Sequence, residues 1–178
     1  MTLDSVSTVV TLPCAAPRTL AGMGTDEVSP VDDDSAMAAA LDLARAAGDV
    51  GEVPVGAVVV IDGQIVAGRG NERQTTADPT AHAELLALRD AAAATGDRRL
   101  PHATLVVTLE PCLLCAGAVW AAQVGRVVYG AADLRAGAMG SLYNFAVDPR
   151  LNHQTAVRPG VRAAEAADLL TAFFAARR

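Results

Sequence analysis

Two cysteines, Cys112 and Cys115, stand three residues apart in the stretch LEPCLLC. Pro111 is typical of the first turn of a helix, and residues three apart lie on one helix face, so both sulfurs can reach a single point. The positive end of the helix dipole also favours thiolates there. The spacing alone leaves three alternatives open: a redox pair, a metal site, or two buried thiols without chemistry.

A second pair, His82 and Glu84 in the stretch DPTAHAELLALR, favours the metal site. Residues two apart on a helix point about 200° away from each other, so these side chains converge only on something that faces the first turn. Two helices that begin at the carboxyl ends of neighbouring strands would bring His82 to the two cysteines. One imidazole nitrogen and two thiolates form a ligand set that suits zinc.

Three protein ligands leave a fourth position for water, which is typical of a catalytic zinc site. The remaining candidate ligands are Cys14, in a predicted tail, and His102 and His153, which the pattern places at loop edges. We therefore predict an open site. Zinc lowers the pKa of a bound water toward about 7, and Glu84 is the predicted carrier of its proton. The ordinary alternative for Glu84 is an exposed helix acid.

The hydrophobic pattern predicts the elements that position these residues. Asp34-Ser35 can begin an Ala-rich helix that ends at Gly48, and Asp62-Gly63 between two β-branched runs predicts a hairpin. The further predicted elements are a helix from Asp78-Pro79-Thr80 to about Gly96, a strand over ATLVVTLE, a helix from Pro111, a strand over RVVYGA, a polar loop over 131–153, a short strand over 154–158 and a helix from Val161 to about Ala176. Alternation of strand and helix predicts a mixed sheet with helices on both faces.

Composition bounds the class of protein. The 178 residues suit one domain and carry a net charge of −6. Residues 1–34 hold six acidic side chains and one arginine, so the rest is nearly neutral, and charge neither supports nor excludes a nucleic-acid partner. We predict an acidic, disordered tail over 1–34 and one domain over 35–178. The absence of a long apolar run or secretory signal, together with only three cysteines, favours the cytoplasm.

His82-Ala83-Glu84, combined with Pro111-Cys112-Leu113-Leu114-Cys115, resembles the zinc-dependent cytidine and nucleobase deaminases. Further blocks are similar to the bacterial tRNA-specific adenosine deaminases over roughly residues 35–178, namely PVGAVVV, GRGN, DPTAHAELLALR, ATLVVTLEPCLLCAGA, GRVVYGA, GSLYN, NHQ and FFAARR. The resemblance implies a three-layer α/β/α, cytidine-deaminase-like fold with a mixed sheet of about five strands, and a homodimer.

The same resemblance implies hydrolytic deamination of adenosine to inosine at the wobble position of tRNA anticodons by a zinc-activated water. It makes His82, Cys112 and Cys115 the ligands of one Zn²⁺ per chain and Glu84 the catalytic residue. It assigns substrate binding to four further residues: Asn71, Asp133, Asn152 and Phe174. Ordinary alternatives are a turn residue for Asn71, a solvated loop acid for Asp133 and a helix packing residue for Phe174.

Three other interpretations stay open. The zinc motif is shared with deaminases of free bases or nucleosides of the guanine, cytosine or adenine type, and the long loop over 131–153 favours RNA instead. A non-catalytic RNA-binding protein with a structural zinc leaves Glu84 and the open position without a role. A redox pair leaves His82 and Glu84 unexplained.

Overall fold

The computed structural model of the protein describes residues 30–177. Four helices and five strands form within that range: α1 Asp33–Asp49, β1 Gly56–Ile61, β2 Gln64–Gly70, α2 Ala83–Thr95, β3 Thr104–Leu109, α3 Leu113–Ala121, β4 Arg126–Ala131, β5 Ala156–Arg158 and α4 Ala163–Ala175. The predicted tail up to residue 29, with Cys14, lies outside the described residues. None of the helices between residues 30 and 177 combines the length and apolar character needed to cross a membrane.

The five strands form one mixed sheet in the order β2-β1-β3-β4-β5. β1 is antiparallel to β2 and β3, whereas β3, β4 and β5 run parallel. α3 makes the crossover between β3 and β4, as a parallel pair requires. The predicted mixed α/β architecture is therefore confirmed, and the carboxyl ends of β3 and β4 lie side by side.

The hairpin between β1 and β2 turns at the predicted dipeptide. Asp62 and Gly63 have φ angles of 50° and 73°, the left-handed conformations that a tight two-residue hairpin turn requires. Val31 N donates a hydrogen bond to Gly63 O at 2.8 Å, which ties the first described residues to this turn. The turn lies at the end of the sheet opposite the carboxyl end of β3, because Val60 pairs with Thr104 and Ala57 with Val107.

Helices cover both faces of the sheet, and alternate strand residues pack against them. α2 and α3 cover one face and α1 and α4 the other, which gives three layers. The first face includes the buried residues Ala57, Val59, Leu105, Val107, Val127, Ala87 and Val119. The second includes Met37, Leu41, Val58, Val106, Val128 and Ala166. The predicted three-layer order is thus confirmed.

α1 begins earlier than the sequence predicts. Asp32, rather than Asp34, is its N-cap and accepts a hydrogen bond from Ser35 N at 2.7 Å. Asp33 accepts two hydrogen bonds from Arg126, at 2.7 and 2.6 Å, and a third from Arg158. Residues 32–34 therefore belong to the folded domain and not to the predicted tail. The sequence could not indicate this, because Asp33 is held by two arginines that lie far from it in the chain, Arg126 in β4 and Arg158 in β5.

α2 and α3 both begin later than predicted. Asp78 closes a local turn, since its Oδ1 accepts from Thr80 N at 2.8 Å and from Thr80 Oγ1 at 2.7 Å, and this competes with a helix start at Pro79. α2 begins only at Ala83, with His82 as N-cap, and α3 begins at Leu113, with Cys112 as N-cap. β5 and α4 each begin two residues after their predicted starts.

Candidate active site

The N-terminal ends of α2 and α3 meet at one point. His82 and Cys112 occupy the N-cap positions with extended backbones, yet neither side chain makes a capping hydrogen bond. Their side chains turn toward each other instead and toward Cys115, which is buried in the first turn of α3. The positive ends of two helix dipoles therefore face the same group of donors, which favours anionic ligands there.

The three donor atoms lie close enough to share one ion. His82 Nδ1 is 3.4 Å from Cys115 Sγ and 3.8 Å from Cys112 Sγ, and the two sulfurs are 3.6 Å apart. Among residues 30–177, the His, Cys, Asp and Glu side chains positioned together as possible metal ligands are these three. His102 is exposed, and the Nε2 atom of His153 lies 2.9 Å from Val124 O, so neither joins the cluster.

Contact between the donors changes their protonation. The side-chain contact with Cys115 lowers the pKa of Cys112 to about 3, although burial opposes the shift. The contact between His82 and Cys112 raises the pKa of His82. The contact between Cys115 and Cys112, together with burial, raises the pKa of Cys115. The lowered pKa favours the thiolate form of Cys112, which is the form of cysteine that binds metals.

Glu84 lies in the first turn of α2 and is 4% exposed. Burial raises the pKa of its carboxyl group. Its Oε2 atom is buried and has no hydrogen-bond partner among the described residues. Glu84 also lines the cavity beside the metal donors. Because no hydrogen bond from residues 30–177 favours one protonation state of Oε2, this carboxyl group is suited to taking up and releasing protons.

A cavity opens beside the cluster and contains two of the predicted substrate residues. Its polar lining consists of Asn71, Arg73, His82, Glu84, Glu110, Cys112 and Asp133, and its apolar lining of Val53, Val55, Leu109 and Ala136. Asn71 is buried at the end of β2, and its N–H donates to Val55 O at 2.9 Å. Asp133 enters from the loop after β4. The fold thus brings Asn71 and Asp133 to the donors.

Asn152 and Phe174 lie away from this cavity. Asn152 Oδ1 accepts a hydrogen bond from Trp120 Nε1 at 3.0 Å, near the C-terminal end of α3. Phe174 is half exposed and lines a separate depression with Arg135, Leu170, Thr171 and Ala175. Arg135 follows Asp133 by two residues, so the loop after β4 borders both the cavity and this depression.

Two lining residues, Arg73 and Glu110, were not predicted. Arg73 follows Asn71 by two residues and places a positive charge at the cavity. Burial raises the pKa of Glu110, but hydrogen bonds from Ser141 and from loop N–H groups outweigh it and hold the pKa below its usual range. In sequence, Glu110 is only a glutamate between an apolar strand and a proline, so no local pattern marks it as a buried acceptor.

Known proteins are similar to this chain in sequence and in fold. The profile of the MafB19-like deaminase family matches residues 31–178. The tRNA-specific adenosine deaminase of Haemophilus influenzae is 46% identical over 147 residues, which cover 82% of this chain and 85% of that protein. A structure solved in studies of A-to-I editing by tRNA:A34 deaminases at the wobble position of transfer RNA is 44% identical, with a TM-score of 0.74, and the match covers 76% of this chain and 98% of that one.

A guanine deaminase has a similar fold at lower sequence identity. The structure of the enzyme from Nitrosomonas europaea has a TM-score of 0.71 and 25% identity, with 82% of this chain and 86% of that chain covered. The fold therefore accommodates both a free base and an RNA nucleotide. The tRNA-specific adenosine deaminases of Haemophilus influenzae and Bacillus subtilis are both 46% identical to this chain. The guanine deaminase of Nitrosomonas europaea is 25% identical, and that of Bacillus subtilis is 38% identical over 57% of this chain.

Proposed function

The chain belongs to the family of bacterial tRNA-specific adenosine deaminases, and we propose that it hydrolyses adenosine to inosine at the wobble position of tRNA anticodons. The family predicted from the sequence is confirmed by 46% identity over most of both chains to the relative from Haemophilus influenzae. The observation that carries the activity is that His82, Cys112 and Cys115 form one donor cluster, and that Glu84 lines the cavity beside it together with His82 and Cys112.

The donor set fits Zn²⁺, one per chain. A tetrahedral zinc with sulfur at about 2.3 Å and nitrogen at about 2.0 Å would hold its sulfurs about 3.8 Å apart and each sulfur about 3.5 Å from the nitrogen. The separations of 3.6, 3.4 and 3.8 Å found here are close to those values. His82 Nδ1 and the two sulfurs would hold the ion, which when bound lowers the pKa of a water molecule and makes it a nucleophile at neutral pH.

Glu84 carries the protons of the reaction. Its carboxylate takes one proton from the attacking water and delivers it to N1 of the adenine ring. It then takes the second proton of that water and delivers it to the exocyclic nitrogen, which leaves as ammonia while the C6 oxygen becomes the carbonyl of inosine. Its unpartnered Oε2 and its place among the cavity-lining residues support this role.

The base must leave the anticodon stack to reach the cavity. Asn71 and Asp133 line the cavity and are the proposed contacts to the flipped nucleoside. Phe174, with Arg135 in the adjoining depression, provides a ring for stacking and a charge for phosphate, and is the proposed contact to a neighbouring nucleotide. Asn152 is proposed to bind RNA outside the cavity, beside Trp120.

We further propose a homodimer that uses the surface between α2 and α3. A largely apolar groove runs there, lined by Leu85, Leu88, Arg89, Ala92, Arg98, Ala118, Ala121 and Ala122. Leu113, Leu114 and Trp120 add exposed apolar surface on α3. Exposed apolar side chains beside a largely apolar groove are typical of protein interfaces. Since its substrate is tRNA, we place the protein in the cytoplasm.

Inosine formation tests the activity. Purified protein is incubated with a panel of anticodon stem-loops that carry adenosine at the wobble position, with adenosine, guanine and cytosine as free substrates in parallel, and the products are identified by mass spectrometry. Inosine in the stem-loops alone is the expected result. Deamination of a free base without any stem-loop product would assign the chain to the free-base deaminases, and no product at all would favour a binding protein.

A further inference from the structure

Two buried glutamates each hold a loop that borders the cavity, without taking part in the proposed chemistry. Glu52 and Glu110 are each 1% exposed. A buried carboxylate is costly unless it accepts hydrogen bonds, so the partners of each residue indicate what it does. In both cases the partners are N–H and O–H groups of a loop that borders the cavity.

Glu52 holds the loop between β2 and α2. Its Oε1 atom accepts hydrogen bonds from Gln74 N at 2.7 Å, Thr75 N at 2.8 Å and Thr75 Oγ1 at 3.1 Å. Asn71 and Arg73, which line the cavity, directly precede these residues. The second oxygen of Glu52, Oε2, is buried and has no partner among the described residues.

Glu110 holds the loop after β4. Its Oε1 accepts from Met139 N and Ser141 N, each at 3.0 Å, while its Oε2 accepts from Asp133 N at 3.0 Å and from Ser141 Oγ. The loop backbone packs directly on this carboxylate, since a Cβ atom added at Gly137 would lie 2.5 Å from Glu110 Cδ and Oε2. Asp133, which this arrangement fixes, lines the cavity.

We propose that Glu52 and Glu110 are positioning residues that order the two loops of the substrate cavity before RNA binds. This inference rests on the proposed deamination of tRNA. The metal donors and Glu84 are carried by the first turns of α2 and α3, whereas Asn71, Arg73 and Asp133 are carried by the two loops. Loosening the loops therefore weakens substrate binding, because the substrate must then order them, and leaves the chemical step intact.

Measuring KM and kcat separately distinguishes a positioning role of Glu52 and Glu110 from a general role in stabilising the fold. Loosened loops raise KM for the stem-loop while kcat stays within about threefold, because the lost interactions are ones made with substrate and transition state alike. A merely structural defect reduces the fraction of folded enzyme instead, which lowers the apparent kcat and leaves KM unchanged. Zinc content per chain and the thermal midpoint are measured on each variant to report the metal site and the fold.

A glutamine side chain can keep the hydrogen bonds of Glu52 but not all of those of Glu110. In Glu52→Gln the amide oxygen takes the place of Oε1 and keeps all three hydrogen bonds. The amide nitrogen takes the place of Oε2, which has no donor among residues 30–177. In Glu110→Gln both oxygen positions face backbone N–H groups, so the amide nitrogen opposes at least one of them in either orientation. Glutamine should rescue position 52 and fail at position 110.

The experiment measures kcat and KM on one anticodon stem-loop for the wild type, Glu52→Ala, Glu52→Gln and Glu110→Gln. We expect KM to rise about tenfold in Glu52→Ala and Glu110→Gln and to return to within about twofold of wild type in Glu52→Gln. Equal effects of Glu52→Gln and Glu110→Gln would overturn the inference, since they would indicate that charge matters and not hydrogen-bond geometry. Unchanged KM in Glu110→Gln would overturn it as well.

Milder variants keep the test decisive if a glutamate variant does not fold. Thr75→Val and Ser141→Ala each remove one hydroxyl donor to Glu52 or Glu110 and leave the carboxylate in place. Each should raise KM about threefold at unchanged kcat, and an unchanged KM in both would contradict the proposal. Wild-type activity on the stem-loop is the reference, so failure of the deamination proposal itself is seen before any variant is compared.

Discussion

His82 Nδ1 lies 3.4 Å from Cys115 Sγ, although the two residues are 33 positions apart in the chain. The contact exists because α2 and α3 begin side by side on one face of the sheet. The metal donors and Glu84 are therefore carried by helix starts, whereas Asn71, Arg73 and Asp133 are carried by the loops that border the cavity. Mutations in these two parts should have different consequences.

Glu84→Gln should abolish most activity without changing the metal site. The amide preserves the size of the side chain but cannot carry a proton, and proton transfer by a positioned side chain contributes about 10²- to 10⁴-fold to rate. We expect kcat on an anticodon stem-loop to fall by at least about 10³-fold, with zinc content equal to wild type by elemental analysis. Turnover close to wild type would remove Glu84 from the proton-carrying role.

Cys112→Ser should lose zinc. Cys112 Sγ lies 3.6 Å from Cys115 Sγ and 3.8 Å from His82 Nδ1, so its thiolate completes the donor set. A serine hydroxyl is a far weaker ligand for zinc, and metal binding is coupled to folding. We expect well under one zinc per chain by elemental analysis, no inosine formation and a lower thermal midpoint. Full zinc content in this variant would contradict the assigned ligand set.

Asp33→Asn should make the free energy of unfolding less dependent on pH in the acid range. Hydrogen bonds from Arg126 lower the pKa of Asp33, although burial opposes the shift. A lowered pKa in the folded state means that the stabilisation is present above the unfolded value of about 3.9 and is lost as pH falls through the folded value. We expect the free energy of unfolding to drop by about 1–2 kcal/mol at pH 7. The difference from wild type should begin to shrink as pH falls below about 4 and should vanish only below the lowered pKa of the folded state.

Urea unfolding at a series of pH values measures this effect. Asp42→Asn is the matched control, because it removes an exposed ion pair with Arg45 and should change the free energy of unfolding by less than about 0.5 kcal/mol. A gap between Asp33→Asn and wild type that does not narrow at all as pH is lowered from about 4 into the acid-unfolding range would contradict the role of the Asp33–Arg126 contact.

Gly137→Ala should destabilise the fold and disturb the loop after β4. The added methyl group would lie 2.5 Å from Asp133 O as well as from Glu110 Cδ and Oε2. We expect the free energy of unfolding to fall by about 1–3 kcal/mol, as for other overpacked positions, and KM to rise. A stability equal to wild type would show that the loop backbone can move away from Glu110.

Gly117→Ala is the matched substitution for this comparison. Gly117 lies within α3, and apart from the helix's own nearby backbone nothing among residues 30–177 lies within 4 Å of an added Cβ atom. Alanine is the better helix former, so chemical unfolding should show a gain of about 0.5–1 kcal/mol. The two glycine substitutions are thus expected to have opposite signs, which separates close backbone approach from a general effect of alanine.

Local patterns were sufficient for the strands and for the donor cluster. β-branched runs and the Asp62-Gly63 turn predicted the sheet correctly because a hairpin is decided by residues adjacent in sequence. His82, Cys112 and Cys115 were predicted to meet because each stands at a helix start that follows or precedes a strand. The exact helix starts were predicted wrongly, since local turns such as that of Asp78 compete with the first helical turn.

By itself the sequence determined the sheet, the three-layer order and which donors converge, because these depend on side-chain periodicity and on spacing along a few turns. The tertiary structure alone decided that Asp33 joins Arg126, that Asn152 lies beside Trp120 and away from the cavity, and that Glu52 and Glu110 hold loops. These contacts join residues 22 to 93 positions apart. Their partners are often backbone N–H groups, which every residue except proline carries, so no residue type in the sequence marks them.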